Sequence, residues 1–190
     1  DAAVQLVQPD LALVVPTGNA SSYKNRDLTP AKHRLAMCEL AFADVPQVQI
    51  SSIEAQSSQP HYTIETLDAL EQGMTGQTVQ WFLLLGADQF AAITTWRRWQ
   101  ELLAKVTVVL ADRAAAVPDA HSGGAEWMQN GHNSALCNVL HLPLTPNALS
   151  STAVRLAFAK KNQNQSAQRL LDQALEPRVL RYIANHSLYL

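Results

Sequence analysis

Trp81-Phe82-Leu83-Leu84-Leu85-Gly86-Ala87-Asp88 opens the stretch that decides the fold, which runs on to Trp99 as WFLLLGADQFAAITTWRRW. Its first five residues are a continuous apolar run, about the length of a typical strand. A run without polar alternation suits a central strand covered on both faces, as in a parallel sheet. Gly86 and Ala87 are small enough for a close turn, and Asp88 puts an acid where the strand ends. In open α/β sheets, ligands bind just beyond the carboxyl ends of the strands. Trp96 and Trp99, three residues apart, would share a face of a helix. Strand, small-residue turn, acid and paired indoles fit the floor of a ligand site; the plainer alternative is two core tryptophans.

Outward from this stretch, strand and helix signals alternate. Asp1 to Gln8 reads as the tail of an amphipathic helix, Leu11 to Val15 as a short buried strand and Val48 to Ile50 as a weaker one. Thr29-Pro30 predicts a helix start, with an N-cap followed by proline in the first turn. Tyr62-Thr63 precedes a helix with Ile64, Leu67 and Leu70 on one side, closed by Gly73. Val106 to Ala111 and Val139 to Leu142 are further strands; Ser151 to Lys161 and the segments around Leu170 and Val179 to Asn185 are helices. The alternation predicts an α/β fold with a mainly parallel sheet flanked by helices, in a single domain over residues 1–190 without internal repeats.

Composition narrows the function classes. Of 190 residues, 47% are apolar and 16% charged, which is an ordinary globular balance. The net charge of -2 gives no bulk attraction toward nucleic acid or an anionic membrane. Cys38 and Cys137 fit no metal-ligand spacing and read as buried thiols of a cytoplasmic protein. No stretch has the length and apolarity of a membrane span, and no secretory signal is present.

A second candidate site is Leu149-Ser150-Ser151-Thr152-Ala153-Val154-Arg155. Hydroxyls crowd a helix start whose free N–H groups and dipole favour an anion, and an arginine one turn in adds fixed charge. The alternative is an ordinary serine cap with a surface arginine. Among the histidines, His121 and His132 read as solvent-exposed loop residues rather than a metal pair. His141 reads as a partly buried strand residue, and His186 as packing for the last helix.

In order along the chain, these stretches resemble one family, the bacterial nicotinate-nucleotide adenylyltransferases. Pro16-Thr17-Gly18 through Lys24 resembles its PxG…HK loop, with Tyr23 where histidine is usual. His33 to Met37 resembles HRLxM, Glu54 fits the acid before the next motif, and Tyr62 to Leu67 resembles YTxxTL, with His61 in place of a common serine. Gly86-Ala87-Asp88, Thr95 to Trp99, Arg113 after a strand, Leu149 to Arg155 and Tyr182 to Tyr189 are similar to G(A/S)D, TWxxW, the strand-then-Arg pattern, ISSTxxR and YIxxHxLY. The family opens with GGTFDPxHxGH, whereas this sequence begins at Asp1, a few residues beyond where that motif ends. Truncation at the start is the expectation, because a sheet without its first strand exposes an unpaired edge. The rival is a protein without the standard active site.

The resemblance implies a Rossmann-like nucleotidyltransferase fold and transfer of AMP from ATP to nicotinate mononucleotide, giving nicotinate adenine dinucleotide and pyrophosphate in NAD biosynthesis. It implies Mg²⁺ held mostly by phosphates and water, and no nucleic-acid or membrane partner. Lys24 and Arg155 would be catalytic. Gly86, Asp88, Ser151, Thr152 and Arg155 would bind ATP, while Thr63, Trp96 and Arg97 would bind the pyridine nucleotide. Trp99 would be core. Arg34 would reach a phosphate or form a structural ion pair, and Arg113 would edge the site or be solvated. The alternatives are a related enzyme acting on nicotinamide mononucleotide or phosphopantetheine, or a nucleotide-binding module without catalysis.

Overall fold

The computed structural model describes residues 2–18, 28–112, 138–144, 149–160 and 164–189. Its elements in chain order are α1 (Ala2–Val7), β1 (Ala12–Val14), α2 (Ala31–Ala41), β2 (Val48–Ile50), α3 (Thr63–Gly73), β3 (Trp81–Gly86) and α4 (Ala87–Ala91). A 3₁₀ turn (Ile93–Thr95) follows, then α5 (Trp99–Lys105), β4 (Val106–Asp112), β5 (Asn138–Pro143), α6 (Ser151–Lys160), α7 (Gln165–Ala174) and α8 (Pro177–Asn185). Two compact units emerge: Asp1–Pro9 with Tyr62–Asn147, and Asp10–His61 with Ala148–Leu190.

The first unit holds a parallel three-stranded sheet in the order β3-β4-β5. Among the described residues the middle strand of that sheet is β4, with the Trp81 strand beside it. Successive residues of a strand point to opposite faces, and both Val108 (0% exposed) and Val109 (1%) are buried, so both faces of β4 are covered. In β3, Leu85 is buried but Leu84 is 53% exposed. A continuous apolar run signals burial without fixing a strand's place in the sheet. The register sets Gly86 level with Ala111, and Ala111 level with Leu142, so the Gly86 turn does leave from the carboxyl end of its strand. Ile64 and Leu67 of α3, Phe90 of α4, Ile93, and Leu102 and Leu103 of α5 pack with Leu85, Val106 and Val108 into one core.

The second unit pairs β1 with β2 in parallel, Ala12 level with Val48. Its core is helical: Ala157 and Phe158 of α6, Ala167 and Leu171 of α7, and Val179 and Ile183 of α8, with Met37 and Leu40 of α2 packed against them. Local signals explain the boundaries. Asn164 caps α7 by accepting the Ser166 N–H at 2.8 Å, and Pro177 opens α8. The start of α2 differs from expectation: its first residue is Ala31, with Pro30 in the cap position at φ -48°, ψ 140°. Thr29 is not the cap; its carbonyl instead accepts from Arg34 Nε at 2.8 Å.

Candidate functional site

Thr63 is the first residue of α3, and the turn before it is tied down by backbone. Both Glu65 and Thr66 donate their N–H groups to the Tyr62 carbonyl, at 2.9 and 3.0 Å. In return, Glu65 Oε2 accepts the Tyr62 N–H at 3.4 Å. This carboxylate three residues into the helix satisfies a donor that the helix itself leaves unpaired.

Trp96 and Arg97 lie outside any helix, which corrects the expectation of one tryptophan helix. Trp96 ends the 3₁₀ turn with extended backbone, φ -78° and ψ 147°. Arg98 then adopts a left-handed conformation, φ 51°, and α5 begins only at Trp99. Both indoles still pack beside the first unit's core, as half-buried side chains. Arg97 Nε lies 3.3 Å from Glu65 Oε1, and its guanidinium carbon sits 5.0 Å from the centre of the Tyr62 ring. The structure thus brings the Tyr62-Thr63 turn and the Trp96-Arg97 segment together through Arg97.

The next rungs of this contact are residues that sequence reasoning passed over. Asp68 accepts from Arg98 and from Lys105, each at 2.8 Å, and Glu71 accepts from Lys105 at 2.6 Å. Arg98 also pairs with Glu101. Hydrogen bonds from Lys105 first and Arg98 second hold the Asp68 carboxyl below its usual value. The bonds that Lys105 donates, to Asp68 first and Glu71 second, raise its ammonium above its usual value. The signal was present as acids at 65, 68 and 71, which share a helix face, opposite the Arg97-Arg98 pair.

At the end of β3, Gly86 occupies the cap position of α4 with φ -78° and ψ 158°. A methyl group there would stand 2.9 Å from Asp88 Oδ1, so the carboxylate folds back toward the turn. Asp88 is exposed, in the first turn of the short α4, and accepts from Gln89 Nε2 at 3.4 Å.

In the second unit, Ser150 caps α6, its Oγ accepting the Ala153 N–H at 3.1 Å. Ser151, Thr152 and Arg155 are exposed, and Arg155 Nη1 donates to the Ser151 carbonyl at 3.3 Å. Three candidates therefore share one helix start. Arg34 donates to the carbonyls of Thr29, Thr17 and Gly18, so among the described residues the partners of its side chain are backbone carbonyls. A Cβ on Gly18 would meet the Glu54 carbonyl oxygen at 2.4 Å, so this close approach requires glycine.

His33, Tyr182 and His186 form a ring cluster. His33 Nδ1 is 2.9 Å from the Tyr182 hydroxyl, and the His186 ring stacks on Tyr182 at 4.1 Å while its Nδ1 meets the Tyr182 carbonyl at 2.9 Å. His186 thus packs the last helix as expected, whereas His141 is exposed rather than partly buried. Burial pushes the Cys38 thiol up. Lys24, Arg113, His121, His132 and Cys137 lie outside the described residues. Among the described residues, no group of three or more His, Cys, Asp and Glu side chains could hold a metal ion, and no helix is long and apolar enough to cross a membrane.

The family model described as cytidylyltransferase-like matches residues 1–157. A probable nicotinate-nucleotide adenylyltransferase of Albidiferax ferrireducens is 37% identical across 99% of this chain and 87% of its own length. That of Methylibium petroleiphilum is 32% identical, over 98% and 82%. Among solved structures, Plasmodium falciparum nicotinic acid mononucleotide adenylyltransferase complexed with NaAD superposes with a TM-score of 0.69 at 16% identity, covering 98% of this chain and 86% of that one. The same enzyme complexed with APC gives 0.68 at 16% identity, with the same coverage. At that identity the superposition speaks for the fold, which is that of a nucleotidyltransferase.

Proposed function

The chain belongs to the cytidylyltransferase-like family and, within it, to the nicotinate-nucleotide adenylyltransferases, and from that premise we propose how its residues divide the work. The reaction is adenylylation of nicotinate mononucleotide in NAD biosynthesis. A phosphate oxygen of the mononucleotide attacks the α-phosphorus of ATP, the bond from that phosphorus to the β-phosphate oxygen breaks, and pyrophosphate leaves. No side-chain nucleophile takes part. Catalysis is then alignment of two anions together with neutralisation of charge on the leaving group.

Trp96 offers a flat face to the pyridine ring, and Thr63 with the backbone around Arg97 binds its carboxylate. Gly86 and Asp88 meet the ribose or adenine side of ATP. Ser151, Thr152 and Arg155 hold the β- and γ-phosphates, and Lys24 reaches the mononucleotide phosphate or the reacting centre. Mg²⁺, where it accompanies ATP, would add to this neutralisation. Few protein ligands would be needed for such an ion, since Mg²⁺ is bound mostly through phosphates and water, in keeping with the absence of a metal-holding group among the described residues. A cytoplasmic location accords with a soluble nucleotide substrate.

The observation that carries this reading is the meeting of the Tyr62-Thr63 turn with Trp96-Arg97, two segments distant in sequence, through the Arg97 guanidinium 5.0 Å from the Tyr62 ring centre. The test is pyrophosphate release by the natively expressed protein with ATP, Mg²⁺ and, in parallel, nicotinate mononucleotide, nicotinamide mononucleotide or phosphopantetheine. Release with the nicotinate substrate alone is expected. Release with another substrate instead overturns the Thr63 and Trp96 roles, and release with none leaves a nucleotide-binding module.

A further inference from the structure

We infer that Glu65 is a positioning residue for the pyridine end of the substrate, holding the Trp96-Arg97 segment against the start of α3. The inference rests on the reading of Thr63, Trp96 and Arg97 given above. It begins from a difficulty in the backbone: Trp96 is extended and Arg98 left-handed, so the residues proposed to read the pyridine stand between two helical segments rather than within one. A non-glycine residue in that conformation is strained, and such strain persists only where the surroundings fix it. The surroundings here are side chains of α3.

Glu65 uses both carboxylate oxygens for this. Oε2 accepts the Tyr62 N–H at 3.4 Å, which fixes the turn that presents Thr63. Oε1 pairs with Arg97 Nε at 3.3 Å, which draws the neighbour of Trp96 onto the same turn. One helical turn on, Asp68 holds Arg98 at 2.8 Å and so anchors the left-handed residue itself. Adjacent carboxylates on one helix face grip adjacent arginines of the segment. The Glu65–Arg97 pair is partly exposed, 35% and 56%, so its worth to global stability is small. Small displacements of a substrate-orienting group nevertheless cost far more in binding and turnover than in stability.

A second effect of the same carboxylate has the opposite sign, and this makes the inference testable. Glu65 also puts negative charge near the proposed carboxylate subsite. If that charge were its main influence, removing it would leave Arg97 unneutralised and tighten binding of nicotinate mononucleotide. Positioning predicts weaker binding.

The experiment is calorimetric titration of the natively expressed protein with nicotinate mononucleotide and, separately, with ATP, for wild type, Glu65→Ala, Glu65→Gln, Arg97→Ala and the double variant, with folding checked by thermal melting. The expected result is a Kd for nicotinate mononucleotide raised roughly three- to ten-fold in Glu65→Ala, with the ATP Kd unchanged. Glu65→Gln, which keeps an acceptor for the Tyr62 N–H, should fall between, and the double variant should weaken binding by less than the two single effects multiplied. Tighter or unchanged binding of nicotinate mononucleotide in a folded Glu65→Ala overturns the inference, as does an equal loss for both ligands. Should Glu65→Ala fail to fold, the same criteria apply to Glu65→Gln. Wild-type protein that binds ATP but no nicotinate mononucleotide overturns the underlying reading, and the inference with it.

Discussion

Arg98, left-handed at φ 51°, donates to Asp68 at 2.8 Å across thirty positions of sequence. The same carboxylate accepts from Lys105, so one acid joins the entry and the exit of α5 to α3. These bonds hold the Asp68 carboxyl below its ordinary value, with Lys105 the larger cause and Arg98 the next. A depressed carboxyl contributes stability that is fully present above its unfolded value of about 3.9 and is lost as pH falls through the lower folded one. Asp68→Asn should therefore lower the melting midpoint at neutral pH, and the gap from wild type should close under acid. Melting curves taken across the acid range test this; a gap that stays constant with pH would show that the ion pairs do not contribute.

Arg34 makes a different prediction because its partners are carbonyls. One guanidinium satisfies Thr29, Thr17 and Gly18 at once, on both sides of the segment that carries Lys24. Lysine keeps the charge but cannot present a planar fork of donors. Arg34→Lys should cost roughly 1–3 kcal/mol in urea unfolding, the range for a half-buried acceptor left unmatched. It should also slow turnover through the Lys24 segment. A variant as stable and as active as wild type would mean that water replaces the guanidinium without loss.

His33 adds a window nearer neutrality. Its imidazole is held below the ordinary value, by burial first, then by Lys32, then by His186, while its Nδ1 meets the Tyr182 hydroxyl at 2.9 Å. A lowered base folds in its neutral form, so the contribution is present above the unfolded value of about 6.5 and is lost as pH falls through the folded one. His33→Gln, which has no proton to gain, should flatten the loss of thermal stability between about pH 7 and pH 5. Identical slopes for the two proteins would assign that loss to other groups.

The contrast among these residues shows what a sequence discloses. The α/β order, the parallel pairing and most element boundaries were legible because apolar runs and turn residues are local signals. The exposure of single residues within β3 was not, since Leu84 and Leu85 are alike in composition and differ only in what covers them. Trp96 and Trp99 at helical spacing suggested one helix, but the left-handed Arg98 breaks it, and what steadies that conformation comes from Asp68, far away in sequence. Arg34 showed its charge but not its partners, because carbonyls carry no sequence signature. The candidate residues Gly86, Asp88, Thr63 and Arg155 were nameable from motifs. The acids that steady the Trp96 segment were visible as a pattern at 65, 68 and 71 without any indication of what they grip.

Gly86 separates a structural from a functional role by a small change. Its backbone, φ -78° and ψ 158°, is open to any residue, so alanine meets no conformational penalty there. The added methyl would instead stand 2.9 Å from Asp88 Oδ1, the end of an exposed side chain that can swing away. Gly86→Ala should therefore leave stability within about 1 kcal/mol of wild type, since loss of glycine's freedom in the unfolded chain offsets the crowding. The displaced carboxylate is the one proposed to meet ATP. The KM for ATP should rise roughly five-fold while that for nicotinate mononucleotide stays constant, the pattern of a lost ground-state contact. Steady-state kinetics with each substrate varied in turn provide the check. A rise confined to the pyridine substrate would move Asp88 from the ATP side to the other, and an unchanged pair of constants in a stable protein would remove it from the site.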